Sequence, residues 1–169
     1  MRKKVIVISV MTIIFILISM FRYQQVNSEY SNYKVTEKNL TTNETFEFLK
    51  ISHTFKKAKK INTIDEMRNK ITEYRIPFTL KNKTNDKLPL HPEFYRMMRG
   101  EEETQTIDFI NNKTGKRVKD IKPHQYISGT VTFTFANNGE GNLKTPKLHM
   151  IGSDGISVEK FIVKIDYFK

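Results

Sequence analysis

The side chains best suited to acid–base or metal chemistry are four histidines, His53, His91, His124 and His149, which stand 38, 33 and 25 positions apart. No pair has the local spacing that builds a site on one element, and zinc would need three or four ligands converging from distant strands. The absence of cysteine removes zinc-thiolate sites, disulfides, thiol catalysis and a lipid-modified N-terminal cysteine. Glu101-Glu102-Glu103 follows Gly100 and reads as a flexible loop. Paired acids for hydrolysis must face each other across a cleft, whereas adjacent side chains on a strand point to opposite faces. Ser128-Gly129 lacks the strand-turn-helix context of a nucleophile elbow. The expectation is a non-enzyme with no catalytic residue, no metal and no cofactor.

Charge is the one chemical feature with a direction. Lys plus Arg number 29 against 18 Asp plus Glu in 169 residues, a net charge of +11. One basic run holds Lys50, Lys56, Lys57, Lys59 and Lys60 without an acid; a second holds Lys113, Lys116, Arg117, Lys119 and Lys122 with Asp120 alone opposing. Lys50, Lys56, Lys57, Lys59, Lys60, Lys116, Arg117 and Lys119 are the candidate polyanion-binding residues, through an attraction that weakens with salt. Which polyanion they meet depends on the compartment.

Arg2, Lys3 and Lys4 precede seventeen residues without a charge, Val5–Phe21. As a helix this stretch is about 25 Å long, slightly short of the ~30 Å hydrocarbon core, with Arg22 and Tyr23 placed to reach the interface. Basic residues ahead of the apolar run keep the amino end inside and send the remainder out. The expectation is a single-pass protein held in the bilayer through residues 5–21, its domain extracytoplasmic. The alternative is secretion after cleavage near Ser28, where Val26-Asn27-Ser28 offers the spacing a signal peptidase reads. Twenty-two lysines against seven arginines, with abundant Asn and Ile, read as an A+T-rich Gram-positive genome. In such a host the acceptor patterns at Asn39, Asn43, Asn82 and Asn112 are polar turns. The polyanions outside are then teichoic acids and lipid headgroups, and the compartment disfavours nucleic acid.

The elements that must position these residues are short strands. Residues 1–21 are the anchor, 22–32 a polar stalk and 33–169 the folded domain. Tyr33 and Val35 begin the first strand, and Asn39–Asn43 is a turn. A phase slip between Phe46, Phe48 and Leu49, Ile51, His53, Phe55 predicts a bulge or a break into two strands. Lys56–Lys60 reads as a basic loop. Ile61, Ile64, Met67, Ile71 and Tyr74 recur at helical steps after a capping box, Thr63-Ile64-Asp65-Glu66, which predicts one short helix.

Tyr74–Lys81 alternates as a half-buried strand, with Pro77 arguing for an edge or a bulge. Leu88–Pro92 runs extended. Phe94, Tyr95, Met97 and Met98 fill the core from an irregular element, and Ile107, Phe109 and Val118 mark two more strands. Tyr126–Phe135 is the clearest strand, followed by the loop Asn137–Asn142. Lys147–Ile151, a hairpin at Ser153-Asp154-Gly155, and a last strand slipping phase at Glu159-Lys160 complete seven to nine strands. These imply an all-β, antiparallel β-sandwich with one short helix.

The run Ile121-Lys-Pro123-His124-Gln125-Tyr-Ile127-Ser-Gly129-Thr-Val131-Thr-Phe133 resembles a motif of the immunoglobulin-like, telokin-like extracellular domains of unknown function found in Gram-positive bacteria. His124 and Gln125 stand where that motif has Gly and Glu. Ile76-Pro-Phe78-Thr-Leu80-Lys-Asn82-Lys-Thr, with Leu88–Phe94 after it, is similar to the family's central strand and Asn turn. The resemblance covers roughly Tyr33–Lys169. It implies an exported immunoglobulin-like sandwich that serves as a binding or scaffold module for a cell-envelope protein or teichoic acid. A regulatory or immunity-type accessory role on another membrane protein or transporter is the alternative. Such proteins commonly carry a lipobox cysteine, a tether that the anchor helix replaces here.

Overall fold

The computed structural model describes residues 2–31, 34–106, 108–137, 144–153 and 157–168, the side chains of 2–10, 28–31 and 34 excepted. A helix, α1 (Arg2–Ser31), comes first and continues through the polar segment that composition marks as a stalk. Its side chains from Met11 to Phe21 are exposed on every face. Among the described residues no helix is long and apolar enough to cross a membrane.

Fourteen strands follow among the described residues: β1 (Lys34–Thr41), β2 (Thr45–Phe48), β3 (Ile51–Phe55), β4 (Ala58–Ile64), β5 (Lys70–Asn82), β6 (Leu88–Pro89) and β7 (Tyr95–Arg99), then β8 (Glu102–Gln105), β9 (Phe109–Asn111), β10 (Asp120–Ile121), β11 (Tyr126–Ala136), β12 (Lys147–Ser153), β13 (Ser157–Lys164) and β14 (Tyr167–Phe168). One sheet has the order β1-β13-β12-β7-β8 and the other β14-β4-β5-β11-β9, with β3 also pairing β5 and β2 pairing β3; β6 and β10 pair separately. Period-two burial builds the interior. β5 turns Tyr74, Ile76, Phe78 and Leu80 inward, and β11 turns in Val131, Phe133 and Phe135. Tyr95, Met97, Leu148, Met150, Phe161 and Val163 of the first sheet meet them.

Several expectations need correction. The sheets are not purely antiparallel, because β1 runs parallel to β13 and β14 parallel to β4. The expected helix around Ile64 is a hairpin between β4 and β5. Asp65 rather than the capping box organises it: its carboxylate accepts from the N–H groups of Met67 (2.9 Å) and Asn69 (2.7 Å) and from the Asn69 side chain (2.9 Å). These bonds also hold the Asp65 carboxyl below its usual pKa. Ile64 and Met67 are exposed at the hairpin tip, so their helical spacing reports no buried face. Only Lys56 and Lys57 of the expected basic loop are irregular, since Lys59 and Lys60 belong to β4. The slip after Phe48 is a true break, a two-residue turn with Leu49 and Lys50 both left-handed (φ 51° and 63°).

Pro77 lies mid-sheet and not at an edge. β11 flanks it on one side, and on the other the partner changes from β4 to β3 at its level, where Lys56 N–H donates to the Pro77 carbonyl (2.9 Å). N–H and C=O of one strand residue point the same way, so the donor proline lacks falls where the neighbouring chain changes strands. Tyr95–Arg99 is a regular strand after a 3₁₀ turn, Pro92–Phe94, and Glu102 and Glu103 lie in β8 rather than a loop. Val118 is buried between β9 and β10, outside any named strand, with its N–H donating to the Phe109 carbonyl of β9 (2.7 Å). Ile107, most of the Asn137–Asn142 loop and the Asp154-Gly155 turn lie outside the described residues, although β12 and β13 pair as that hairpin requires.

The register also sorts the loops. β1 starts two residues beyond α1's last turn, with Lys34 opposite Ser157, and Ser153 opposite Val158. Gly152 sits against Phe48 and Leu49, Ile51 lies opposite Asn82, Asn82 N–H donates to the Gln125 carbonyl, and Asn112 N–H to that of Ser128. The turns 49–50, 83–87, 112–116 and 122–125 therefore share the end at which the helix joins. The turns 65–69 and 100–101 lie at the opposite end, since Arg99 reaches the Ala136 carbonyl and Asn137 N–H donates to that of Lys70.

Candidate functional site

The two basic runs have different fates. Strand alternation divides the first. Lys59 lies opposite Arg75 on the outer face, while Lys60 sits over the rings of Tyr167 (5.3 Å) and Tyr74 (5.9 Å), and Lys57 sits over Phe168 (5.5 Å). Lys56 is exposed beside Pro77, and Lys50 is a β-strand's length away, in the turn at the helix-proximal end. Five lysines close in sequence thus make no patch, and two of them lie over aromatic rings.

The second run stays together. Lys113, Lys116, Lys119 and Lys122 are all exposed around the turns that flank β10. Lys116, Lys119 and Lys122 line a shallow depression of about 250 Å³ beside Asp120. Arg117 is engaged by Asp108, and Asp120 by Lys87 (2.8 Å). A second depression of about 360 Å³ lies on the other side of Arg117 and Lys119, under Leu90 and Glu93.

The histidines do not converge. His53 is buried, His91 meets Glu93 (2.9 Å), His124 meets Asn85 (2.9 Å), and His149 lies half-buried on β12. Among the described residues no three His, Asp or Glu side chains are grouped to hold a metal. Glu102 and Glu103 are taken by Arg99 (2.7 Å) and Arg96 (2.8 Å).

Two buried polar groups escape a reading of the sequence. His53 Nδ1 lies 2.7 Å from the Ile51 carbonyl, which only accepts, so Nδ1 carries the proton and Nε2 accepts from the Tyr95 hydroxyl (2.7 Å). Burial lowers the His53 pKa to about 4 and raises that of Tyr95. Arg99 is 1% exposed, donates to Glu102 and to the Ala136 carbonyl (2.7 Å), and lies over Phe135 (4.5 Å). The signal was present: Arg99 shares the inward phase of Tyr95 and Met97 on β7.

The turn at Pro123-His124 is held by its own backbone and by Gln125. His124 adopts the left-handed conformation (φ 55°) natural to glycine. The Gln125 side chain accepts from Lys122 N–H (2.9 Å) while its own N–H donates to the Lys122 carbonyl (3.1 Å). Pro123 and a left-handed residue make a type II turn. Gly129 is needed for close approach, since a Cβ there would run into the Ile110 carbonyl and the Phe78 ring.

Solved structures share this fold. The chain is similar to a functionally unknown protein from Listeria monocytogenes EGD-e (TM-score 0.60, 10% identity, 75% of this chain and 82% of that one). It is also similar to an uncharacterized β-sandwich protein from Clostridium difficile 630 (0.56, 12%, 79% and 97%) and to a secreted protein from Mycobacterium tuberculosis (0.53, 7%, 76% and 98%). No protein-family model and no functionally curated sequence matches the chain. At these identities the likeness defines the class alone, a β-sandwich domain.

Proposed function

We propose that the chain is a membrane-anchored, extracytoplasmic binding module, an immunoglobulin-like sandwich that presents its loops to a cell-envelope protein or an anionic wall polymer. The observation that carries this is α1: its apolar side chains from Met11 to Phe21 are exposed on all faces, so the sandwich covers none of them. A helix apolar all round needs an apolar surrounding, and the charge-free run Val5–Phe21 behind Arg2, Lys3 and Lys4 fits a bilayer with the amino end inside. Secretion of a like fold in Mycobacterium tuberculosis agrees with that placement. The immunoglobulin-like assignment draws on the type II turn at Pro123-His124 and the close approach at Gly129, which supply physical reasons for the motif positions.

Protease added to intact spheroplasts tests the topology. Cleavage of the domain from outside, with the full-length chain retained in carbonate-washed membranes, is the expected result. A domain protected until the cells are lysed would defeat it, and a soluble species beginning at Glu29 would replace the anchor with secretion.

A further inference from the structure

We infer that the helix-proximal end of the sandwich is a docking surface for anionic lipid headgroups of the same membrane that holds α1. This rests on the anchor proposed above and assigns its partner. Lys50, from the first basic run, and Lys113, Lys116 and Lys122, from the second, are brought to one end by the strand register, and Lys83 joins them from the turn after β5. All five are exposed on turns, and none forms an ion pair with a described residue. Among the described residues the acids nearest these turns are Glu47, Asp86 and Asp120, the last paired with Lys87, with Glu93 beside Lys119 and Glu29 in the last turns of α1. The described acids at the opposite end, Asp65, Glu66, Glu101 and Glu102, are matched there by Arg68, Lys70, Arg99 and Lys144, so the excess of positive charge faces the helix side.

Chain length sets the distance. α1 continues ten residues past Phe21, about 15 Å at the helical rise, and the headgroup layer occupies about 5–8 Å of that. With the helix upright, the end of α1 stands about one Debye length above the lipid phosphates and the basic turns share that end of the sandwich, where an attraction is only partly screened. Teichoic acid, reaching out through the wall, would favour lysines on the flank or the far end. The structure instead scatters the flank lysines: Lys57 and Lys60 lie over rings and Lys59 faces away beside Arg75.

The test uses the full chain reconstituted into vesicles of phosphatidylcholine, with or without phosphatidylglycerol, carrying a nitroxide-headgroup lipid as quencher. The chain has no cysteine, so Thr114→Cys on the proximal end or Glu66→Cys on the distal hairpin places a single fluorophore. The probe at position 114 is expected to be quenched in phosphatidylglycerol vesicles, to be relieved by high salt, and to escape quenching in phosphatidylcholine alone; the probe at 66 should stay unquenched throughout. Each of Lys50→Gln, Lys83→Gln, Lys113→Gln, Lys116→Gln and Lys122→Gln should lower the docking equilibrium about five-fold. The combined flank variant Lys56→Gln, Lys57→Gln, Lys59→Gln should leave it unchanged. Equal quenching in both lipids, or equal loss in the proximal and flank variants, overturns the proposal while leaving the anchor intact. Release of the chain by alkaline carbonate overturns the anchor and the proposal with it.

Discussion

The two ends of the sandwich are each closed by one buried polar side chain, and the two solutions differ. At the helix-proximal end the residue is Asn82, fully buried at the end of β5. Its amide donates to the carbonyls of Asp86 (2.7 Å) and Ile121 (3.0 Å), and its oxygen accepts from the N–H and hydroxyl of Thr84 (both 2.8 Å). At the opposite end Arg99 bridges the sheets, from β7 to the Ala136 carbonyl on β11, with Glu102 as counter-ion. A neutral amide gathers the proximal turns and leaves their lysines in water. A guanidinium turned inward keeps its charge, and that of its partner, within the distal end. Holding loops in place and presenting charge are therefore separate jobs at the proximal end and a single one at the distal end.

Breaking the distal end should cost most. Arg99→Ala deprives the Glu102 carboxylate and the Ala136 carbonyl of their partner and should cost about 3 kcal/mol, the low end for breaking a buried pair, because Glu102 keeps contact with water. Urea unfolding should register it, and Arg99→Met combined with Glu102→Leu should recover most of the loss. A fall of less than about 1 kcal/mol would mean that the pair contributes little to closing that end.

Between the ends lies His53, and acid probes it. Its pKa is lowered to about 4 from an ordinary 6.5 by burial, so above pH 6.5 both folded and unfolded states carry it neutral. As pH falls from 6.5 towards 4 the unfolded chain takes up a proton that the fold refuses, and stability drops by about 1.4 kcal/mol per unit, roughly 3 kcal/mol in all. His149, also lowered by burial, adds to the same slope, and His149→Asn removes its share. Unfolding midpoints followed between pH 7 and pH 4.5 check this; a flat profile in the His149→Asn chain would count against a neutral His53.

The proximal anchor ranks next. Asn82→Ala deprives two carbonyls and Thr84 of their partner and should cost about 2 kcal/mol, with hydrogen exchange rising in the turns 83–87 and 119–125 before the rest of the domain. Uniform exchange would show that Asn82 does not gather those turns. The smallest effect is expected at His124. Glycine relieves the left-handed backbone but gives up the Asn85 contact and gains chain entropy when unfolded, so His124→Gly should change stability by no more than about 0.5–1 kcal/mol. The lipid-dependent quenching should persist in that variant because the lysines are untouched.

Much of the sandwich was legible from period two. β5 and β11 lie where alternation puts them, and the break after Phe48 was visible as a phase slip. The misread segment around Ile64 fails for a physical reason: Ile61, Ile64 and Met67 keep helical spacing, but Asp65 finds its hydrogen bonds in a tight turn, and neighbouring β11 lends β5 a partner along its whole length. Pro77 misled in the same way, because what tolerates it is a change of partner strand that no local pattern contains. Of the site, the basic residues themselves could be read, whereas their grouping could not. Lys50 parts from Lys56, Lys57, Lys59 and Lys60 and joins Lys113, Lys116 and Lys122 at the helix-proximal end.

Residue order by itself determined the apolar run of the helix, the inward and outward faces of β5 and β11 and the turn at Asn82, since these follow from side-chain type and a two- or four-residue neighbourhood. Only the tertiary structure decided the parallel pairing of β1 with β13, the inward Arg99 bridge, and which turns share an end. Those depend on register between segments such as Lys34 and Ser157 that no local preference links, and register is chosen by the packing of the whole interior.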